Sequence, residues 1–302
     1  MAGAVRRPTA RRANPAARVH VFADTEPFGR RLARAAGMGI ARVDVHRFPD
    51  GESLVRVREP AGRHAVLVRS LDVPNEKLVE ILLAADALRR SGARRLTLIA
   101  PYLAYMRQDA IFRSGQPLSQ RVVAECLGRA VDRVVTVEAH LHRVERLDQV
   151  FPCAADSLSA APAMARWLRR DRERCIVVGP DSESEPCVRA IAQAAGEPWT
   201  VGRKARYGDH HVRIRFPQLP ARTRAVIVDD IASTGTTLAV AARALRERGI
   251  RHVEAIVVHP IFAPGALARI RAAGVRRVVS CDTIPHPTNA IETATLLAEA
   301  IR

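Results

Sequence analysis

Val226-Ile-Val-Asp-Asp-Ile-Ala-Ser-Thr-Gly-Thr-Thr-Leu238 carries the strongest signal in this chain. Residues 225–228 are apolar and read as a buried strand. Two adjacent carboxylates, Asp229 and Asp230, follow it. A hydroxyl-rich turn around Gly235 comes next, then an alanine-rich, helix-periodic segment over 238–248. A strand, a tight glycine turn and a helix N-terminus together make an anion site. The first-turn N–H groups have no intrahelical partner, and the helix dipole favours negative charge there. Ser233, Thr234, Thr236 and Thr237 add neutral donors. The loop holds no lysine, so it is not a Walker-type P-loop. The acid pair repels phosphate and should face hydrogen-bond donors; a sugar diol or a metal ion answers that need. The reading is a sugar phosphate, with phosphate in the turn and sugar hydroxyls on the acids. Acidic capping of a helix would not require two acids, four hydroxyls and a glycine together.

At 302 residues the chain has room for one large domain or two ordinary ones. Its longest apolar runs are strand-like, far short of a membrane span. The formal charge is +17, and only Lys77 and Lys204 are lysines. The arginines are scattered over every helix-periodic segment and have no interleaved aromatics, which argues against dedicated nucleic-acid binding. The five cysteines (Cys126, Cys153, Cys175, Cys187, Cys281) form no Cys-x-x-Cys pair, so neither a zinc site nor a disulfide framework is indicated. Cys126 and Cys175 sit in apolar contexts and read as core thiols. A reducing cytoplasm suits this usage. Residues 1–17 are basic, proline-containing and without periodicity, as expected of a disordered tail.

From residue 18 onward, strand-like runs (19–22, 43–45, 53–57, 64–68, 96–100, 134–137) alternate with helix-periodic segments (27–36, 75–90, 119–128). Leu78, Ile81, Leu82, Ala85 and Leu88 share one face of the 75–90 helix. The second half repeats the theme, with helices at 160–170, 185–195 and 267–273 and strands at 176–178, 200–201, 212–216, 225–228, 253–258 and 278–280. Fully apolar strands between helices predict mainly parallel sheets covered on both faces. The expected architecture is α/β, two similar doubly wound domains, 18–155 and 156–302, with a boundary between 148 and 159 where Pro, Asp and Ser interrupt the pattern. Ligands in such sheets gather beyond the strands' carboxyl ends. Arg107-Gln108-Asp109, Glu138 and His140, Asp181, and Asp229-Asp230 all fall there.

Taken in order, these motifs resemble those of the ribose-phosphate diphosphokinases over roughly residues 18–300. The matching segments are Phe48-Pro-Asp-Gly-Glu52, Tyr105-Met-Arg-Gln-Asp109 with Phe112-Arg-Ser-Gly-Gln-Pro117, Thr136-Val-Glu-Ala-His140, Lys204-Ala-Arg206 and the Asp229–Thr237 loop. The loop alone is shared with phosphoribosyltransferases of the same type I fold; the ordered set is far more specific. The resemblance implies that Phe48 stacks on adenine while Asp50 and Glu52 accept from its amino group, in a neighbouring subunit's site, so that a homo-oligomer follows. It implies that Arg107, Gln108, Asp109 and His140 hold ATP, and that His140 and Asp181 ligate or position Mg2+. It gives the ribose phosphate to Asp229, Asp230, Ser233, Thr234, Gly235, Thr236 and Thr237, and catalysis to Lys204 and Arg206.

A lysine at 204, in a chain that uses arginine almost everywhere else, fits a demand for a compact, mobile ammonium in a polar loop over 202–211. The implied reaction is attack by the sugar's anomeric hydroxyl on the β-phosphorus of ATP, catalysed by positioning and charge neutralisation. This sequence departs from the family pattern at Ala110, where a basic residue is usual, and at 182–186, where Ser-Glu-Ser-Glu-Pro replaces a glycine-bearing turn. Two rivals stand beside this reading: a nucleobase phosphoribosyltransferase, and a non-catalytic regulatory homologue of the synthetase.

Overall fold

The computed structural model describes residues 17–301 apart from 59, 172, 208–210, 218 and 221–223; of 204–207 and 211–213 it describes the backbone alone. The basic segment expected as a tail lies outside the described residues, except that Ala17 already opens the first strand.

The first sheet is built from β1 (Ala17–Phe22), β2 (Gly39–Arg47), β3 (Ser53–Val57), β4 (His64–Val68), β5 (Arg95–Ala100), β6 (Arg133–Val137) and β7 (Ala154–Leu158), in the order β3-β2-β1-β4-β5-β6-β7. All its pairs are parallel except the β2–β3 hairpin. The helices α1 (Glu26–Ala36), α2 (Pro74–Arg90) and α3 (Ser119–Ala130) belong to the same half of the sequence, whereas α4 (Ala161–Arg170) follows β7 and packs on the helix Glu185–Ala195. The second sheet takes β8 (Cys175–Gly179), β9 (Trp199–Val201), β12 (Arg224–Ala232), β13 (His252–Pro260), β14 (Val275–Cys281) and β15 (Asn289–Ile291), in the order β15-β14-β13-β12-β8-β9, all parallel. It is accompanied by α5 (Glu185–Ala195), α6 (Thr236–Glu247), α7 (Ala266–Ala272) and α8 (Ala294–Ala300). The expected two doubly wound parallel sheets are therefore present. Their strands are buried on both faces, as in 64–68 and 224–228, because helices cover both sides.

Four expectations are corrected. The strand β7, Ala-Ala-Asp-Ser-Leu, has no apolar run to announce it, because it is a half-exposed edge strand. It pairs with β6, so the boundary drawn at 155/156 cuts through the first sheet. The helix α8 packs on α1, burying Leu297 and Ala298 with Val19 and Leu32, and Arg133 donates to the Ala300 carbonyl at 2.7 Å. The C-terminus thus returns to the first half. Residues 203–207 of the expected loop are strand instead: β10 (Arg203–Tyr207) and β11 (His211–Arg215) form a separate antiparallel ribbon. Finally, Cys126 is exposed, since α3 turns Gln120, Ala124 and Leu127 inward instead; Cys175 is buried as expected, and all five thiols are free.

In α2 the buried face is Glu80, Ile81, Ala84, Ala85 and Leu88, while Leu78 and Leu82 are only half buried. The burial of Glu80 is made possible by Arg69, described below. Among the described residues no helix is long and apolar enough to cross a membrane.

Candidate active site

In an open parallel sheet a crevice forms where neighbouring strands send their connections in opposite directions. In the second sheet that point lies between β8 and β12, since β8 leads through α5 to the outer β9 and β12 leads through α6 to β13. The sequence places Asp181 after β8 and Asp229 and Asp230 at the end of β12. All three are half buried.

The turn after β12 has the predicted geometry. Gly235 precedes α6 with φ 74°, a left-handed conformation suited to glycine. A Cβ there would lie 2.9 Å from the Ile270 side chain and 3.0 Å from the Ala266 carbonyl. The turn is tied from behind: Ala263 N donates to Ser233 O at 3.1 Å, and the Arg269 guanidinium donates to the Thr234 carbonyl. Gly235 is buried against α7, whereas Thr234 and Thr236 are exposed and linked through their hydroxyls at 3.0 Å. The first-turn amides of α6 and four hydroxyl side chains thus follow the acid pair directly at the carboxyl end of β12.

The acids are electrostatically unequal. Burial, then the neighbouring charges of Asp230 and Asp181, pushes the Asp229 carboxyl well above the usual range. Burial also works against charge on Asp230, but His140 and the backbone outweigh it and hold that carboxyl below its ordinary value. His140 Nδ1 lies 2.7 Å from Asp230 Oδ2, and Ile231 N donates to Asp230 Oδ1 at 2.7 Å. Among the described residues neither acid has an arginine or lysine partner.

His140 follows β6 of the first sheet, so this contact joins the two halves across 90 positions of sequence. The turn that presents it is strained: Glu138 has φ 39°, uncommon for a residue with a side chain. The Glu138 carboxylate accepts from Ser159 Oγ and Ala160 N, both at 2.7 Å. Burial nevertheless pushes it above the usual range. The other nitrogen of His140 faces His142 Nε2 at 2.5 Å.

The segment after β5 lies beyond the same end of the first sheet. Arg107 is exposed. Gln108 is fixed by Ser119 Oγ at 2.5 Å and by its own donation to Pro117 O at 3.2 Å. Asp109 stands 3.5 Å from Arg143, with its other carboxylate oxygen buried and without a partner.

Two groups of expected residues are not brought to this crevice by any described contact. Phe48, Asp50 and Glu52 form the tip of the β2–β3 hairpin on the sheet edge: Glu52 N donates to Asp50 Oδ1 at 3.0 Å, and Phe48, 41% exposed, meets the edge of the His46 ring. Lys204 and Arg206 lie two positions apart on β10, opposite Ile214 and Val212; their side chains lie outside the described residues. Of the two departures, 182–184 form a short 3-10 turn in which Glu183 is exposed, and Ser184 Oγ donates to Asp181 O at 2.6 Å.

Sequence reasoning passed over His142, Arg143 and His259. The last had a visible signal, a polar residue ending the apolar run 255–258, the same signal that marks Asp229.

Comparison with known proteins agrees with this geometry. Residues 18–130 match the family described as the N-terminal domain of ribose phosphate pyrophosphokinase, and residues 155–295 match the phosphoribosyl transferase domain. The ribose-phosphate pyrophosphokinase of Methanopyrus kandleri is 35% identical over 277 residues, covering 90% of this chain and 94% of its own. That of Thermococcus kodakarensis is 35% identical over 260 residues, covering 85% and 91%. The crystal structure of phosphoribosylpyrophosphate synthetase from Mycobacterium smegmatis superposes with a TM-score of 0.82 at 26% identity, covering 95% of this chain and 97% of that one. With both domains matched and relatives 35% identical over most of the chain, the chain belongs to the ribose-phosphate pyrophosphokinase family.

Proposed function

We propose that the two halves divide the substrates of this reaction between them, the loop 229–237 taking ribose 5-phosphate and the 107–109 segment with His140 taking ATP. The protein transfers the diphosphoryl group of ATP to the anomeric hydroxyl of ribose 5-phosphate, giving phosphoribosyl diphosphate and AMP. The assignment rests above all on the His140–Asp230 contact, which sets the histidine of one half against the acid pair of the other.

In this assignment the amides of α6 and the hydroxyls of Ser233, Thr234, Thr236 and Thr237 hold the 5-phosphate, while Asp229 and Asp230 accept from the ribose diol. Arg107 and Gln108 orient the triphosphate, and Asp109 fixes that segment against Arg143. The anomeric oxygen attacks the β-phosphorus in line, the bond to the α-phosphate oxygen breaks, and AMP departs. No covalent enzyme intermediate is needed. Lys204 and Arg206 neutralise the charge on the diphosphoryl group in flight.

Magnesium fits the donor set. The Asp229 carboxyl, raised by burial and then by its acidic neighbours, is a site whose repulsion a divalent cation relieves. His140 and Asp181 would hold the ion, with His142 swung off the His140 ring, and the ion would supply neutralisation of phosphate charge. Among the described residues no three His, Cys, Asp or Glu side chains form a cage, so phosphate oxygens and water would complete the shell.

The exposed Phe48 turn on the sheet edge fits a role in a neighbouring copy's adenine site, which makes a homo-oligomer part of this reading. The free thiols fit a reducing cytoplasm.

The test is direct. Purified protein with ATP, magnesium and ribose 5-phosphate should release AMP and phosphoribosyl diphosphate in equal amounts. Pyrophosphate release from phosphoribosyl diphosphate plus a nucleobase, without AMP, would favour a transferase; neither activity would favour a regulatory homologue. Lys204→Ala should bind both substrates yet lose about a hundredfold or more in turnover, and near-normal turnover would remove Lys204 from catalysis.

A further inference from the structure

His259 is the penultimate residue of β13, paired in register with Ile231, the residue after Asp230. It is 1% exposed, and its environment comes from both halves of the molecule. Its Nε2 lies 3.2 Å from the carbonyl of Glu138, the strained residue two positions before His140. Its Nδ1 lies 2.9 Å from Thr283 Oγ1, which in turn reaches the Val258 carbonyl at 2.8 Å. The Tyr102 ring, just after β5, packs on it at 4.9 Å. The Thr283 carbonyl accepts from Ser70 Oγ at 2.5 Å, just after β4. One buried His–Thr unit of the second sheet therefore touches the segments that follow β4, β5 and β6 of the first sheet. Two of those segments lead directly into Arg107–Asp109 and His140.

We propose that His259 is a positioning residue for diphosphoryl transfer: by donating from Nε2 to the Glu138 carbonyl it holds the strained turn that sets His140 against Asp230. The proton's place follows from its partners. A carbonyl oxygen only accepts, so the N–H sits on Nε2, and the single Thr283 hydroxyl hydrogen is shared between Nδ1 and the Val258 carbonyl. Burial pushes the imidazole down to about 4, so it stays neutral at physiological pH and has a single N–H to give. The strain at Glu138 needs such an external tie, because a left-handed backbone at a non-glycine residue persists only where its surroundings enforce it. His259 touches neither substrate in this scheme. The inference rests on the assignment of His140 to the ATP side.

The two ring nitrogens can be separated by mutation. A glutamine amide nitrogen stands close to where Nε2 was, and an asparagine amide nitrogen close to Nδ1. We therefore compare His259→Gln, His259→Asn and His259→Leu by AMP formation, with thermal midpoints and KM for both substrates. The glutamine variant should keep kcat within about threefold, while the asparagine and leucine variants lose about 30- to 100-fold, because displacement of a reacting partner by an ångström costs that much. KM for ribose 5-phosphate should stay unchanged throughout, since the turn at Gly235 is untouched. Equal activity of the glutamine and asparagine variants, whether high or low, overturns the proposal, as does a loss that merely tracks the thermal midpoints. His140→Ala measured alongside separates the two readings: normal turnover there sinks the ATP-side assignment itself and, with it, any role for His259 through that residue.

Discussion

The two sheets have the same plan, and each has a crevice at the same place. In the first it lies between β1 and β4, in the second between β8 and β12. Both crevices are preceded by a short 3-10 turn and a helix whose C-terminus is closed by a left-handed glycine, Gly37 and Gly196. Both face a helix that follows a left-handed residue, Val73 before α2 and Gly235 before α6. Their charges differ completely. The first, a cavity of about 600 Å3, has its own cations and anions matched. Arg69 pairs with the buried Glu80 and lies over the Phe22 ring, while Lys77 bridges Asp24 at 3.0 Å and Asp72 at 2.7 Å. The second gathers Asp181, Asp229 and Asp230, and Asp230 receives His140 from the first half. Two similar backbones thus give one crevice of paired charges and one that gathers carboxylates. The difference lies in the side chains at the strand ends, not in the topology.

The largest effect should come from removing an acid on each side of the comparison. Asp229→Asn is expected to lower turnover by about a hundredfold or more, as loss of a polar group aimed at the substrate does. The same change should raise the stability of the unliganded protein by about 1 kcal/mol, because it removes a buried carboxyl crowded by like charges. Glu80→Ala should do the reverse. It leaves Arg69 buried without its partner and costs about 3–5 kcal/mol, with turnover per folded molecule preserved. Urea melts and AMP formation on both variants decide the matter. A destabilised Asp229→Asn, or a Glu80→Ala that loses activity in excess of unfolding, breaks the contrast.

The left-handed turns give a smaller, paired test. Gly235→Val places a Cβ within 3.0 Å of Ile270 and Ala266 in a backbone that β-branched residues avoid. We expect a loss of about 2–4 kcal/mol and a rise in KM for ribose 5-phosphate. Val73, 73% exposed with φ 58°, already carries that strain without crowding. Val73→Gly should therefore change stability by no more than about 1 kcal/mol, since relief of strain and the entropy of glycine oppose one another. Equal costs at the two positions would mean that the turn, not its packing on α7, demands glycine.

What the sequence made legible follows this contrast. The strand–turn–helix at 226–238 was readable because its chemistry is local: an apolar run, two acids and a glycine adjacent in the chain. The parallel sheets were readable from uniformly apolar strands. By contrast β7 is a polar edge strand recognisable only by its pairing with β6, and the return of α8 to α1 depends on contacts across the whole chain. The neutralised first crevice was hidden for the same reason. Glu80 sits on a helix face among leucines, and nothing nearby in sequence announces that Arg69 will meet it. His259 was visible as a polar strand end, yet its partners Glu138 and Thr283 lie 121 and 24 positions away.

The smallest effect is a pH dependence of opposite sign at two ends of the second sheet. At the crevice, the folded state holds the Asp229 proton more tightly than the unfolded chain does, because burial and the charges of Asp230 and Asp181 raise that carboxyl above its ordinary value of 3.8. Its contribution to stability is therefore complete below 3.8 and is lost as pH rises through the folded value. At the amino ends of β12, β13 and β14, Glu254 behaves in the opposite way. Burial disfavours its charge, but Arg224 and Arg277 outweigh that and lower it from 4.5. Its contribution is present above 4.5 and disappears as pH falls through the lowered folded value. Thermal midpoints of the unliganded protein should thus decline on the alkaline side of the optimum in a way Asp229→Asn flattens. They should also decline on the acid side in a way Glu254→Gln flattens. Asp229 and Asp230 share their titration, so the first slope belongs to the pair, and Asp229→Asn removes it by leaving one carboxyl to ionise alone. If Asp229→Asn left the alkaline limb unchanged, the crevice would not be storing charge repulsion, and the electrostatic distinction between the two halves would fail at its source.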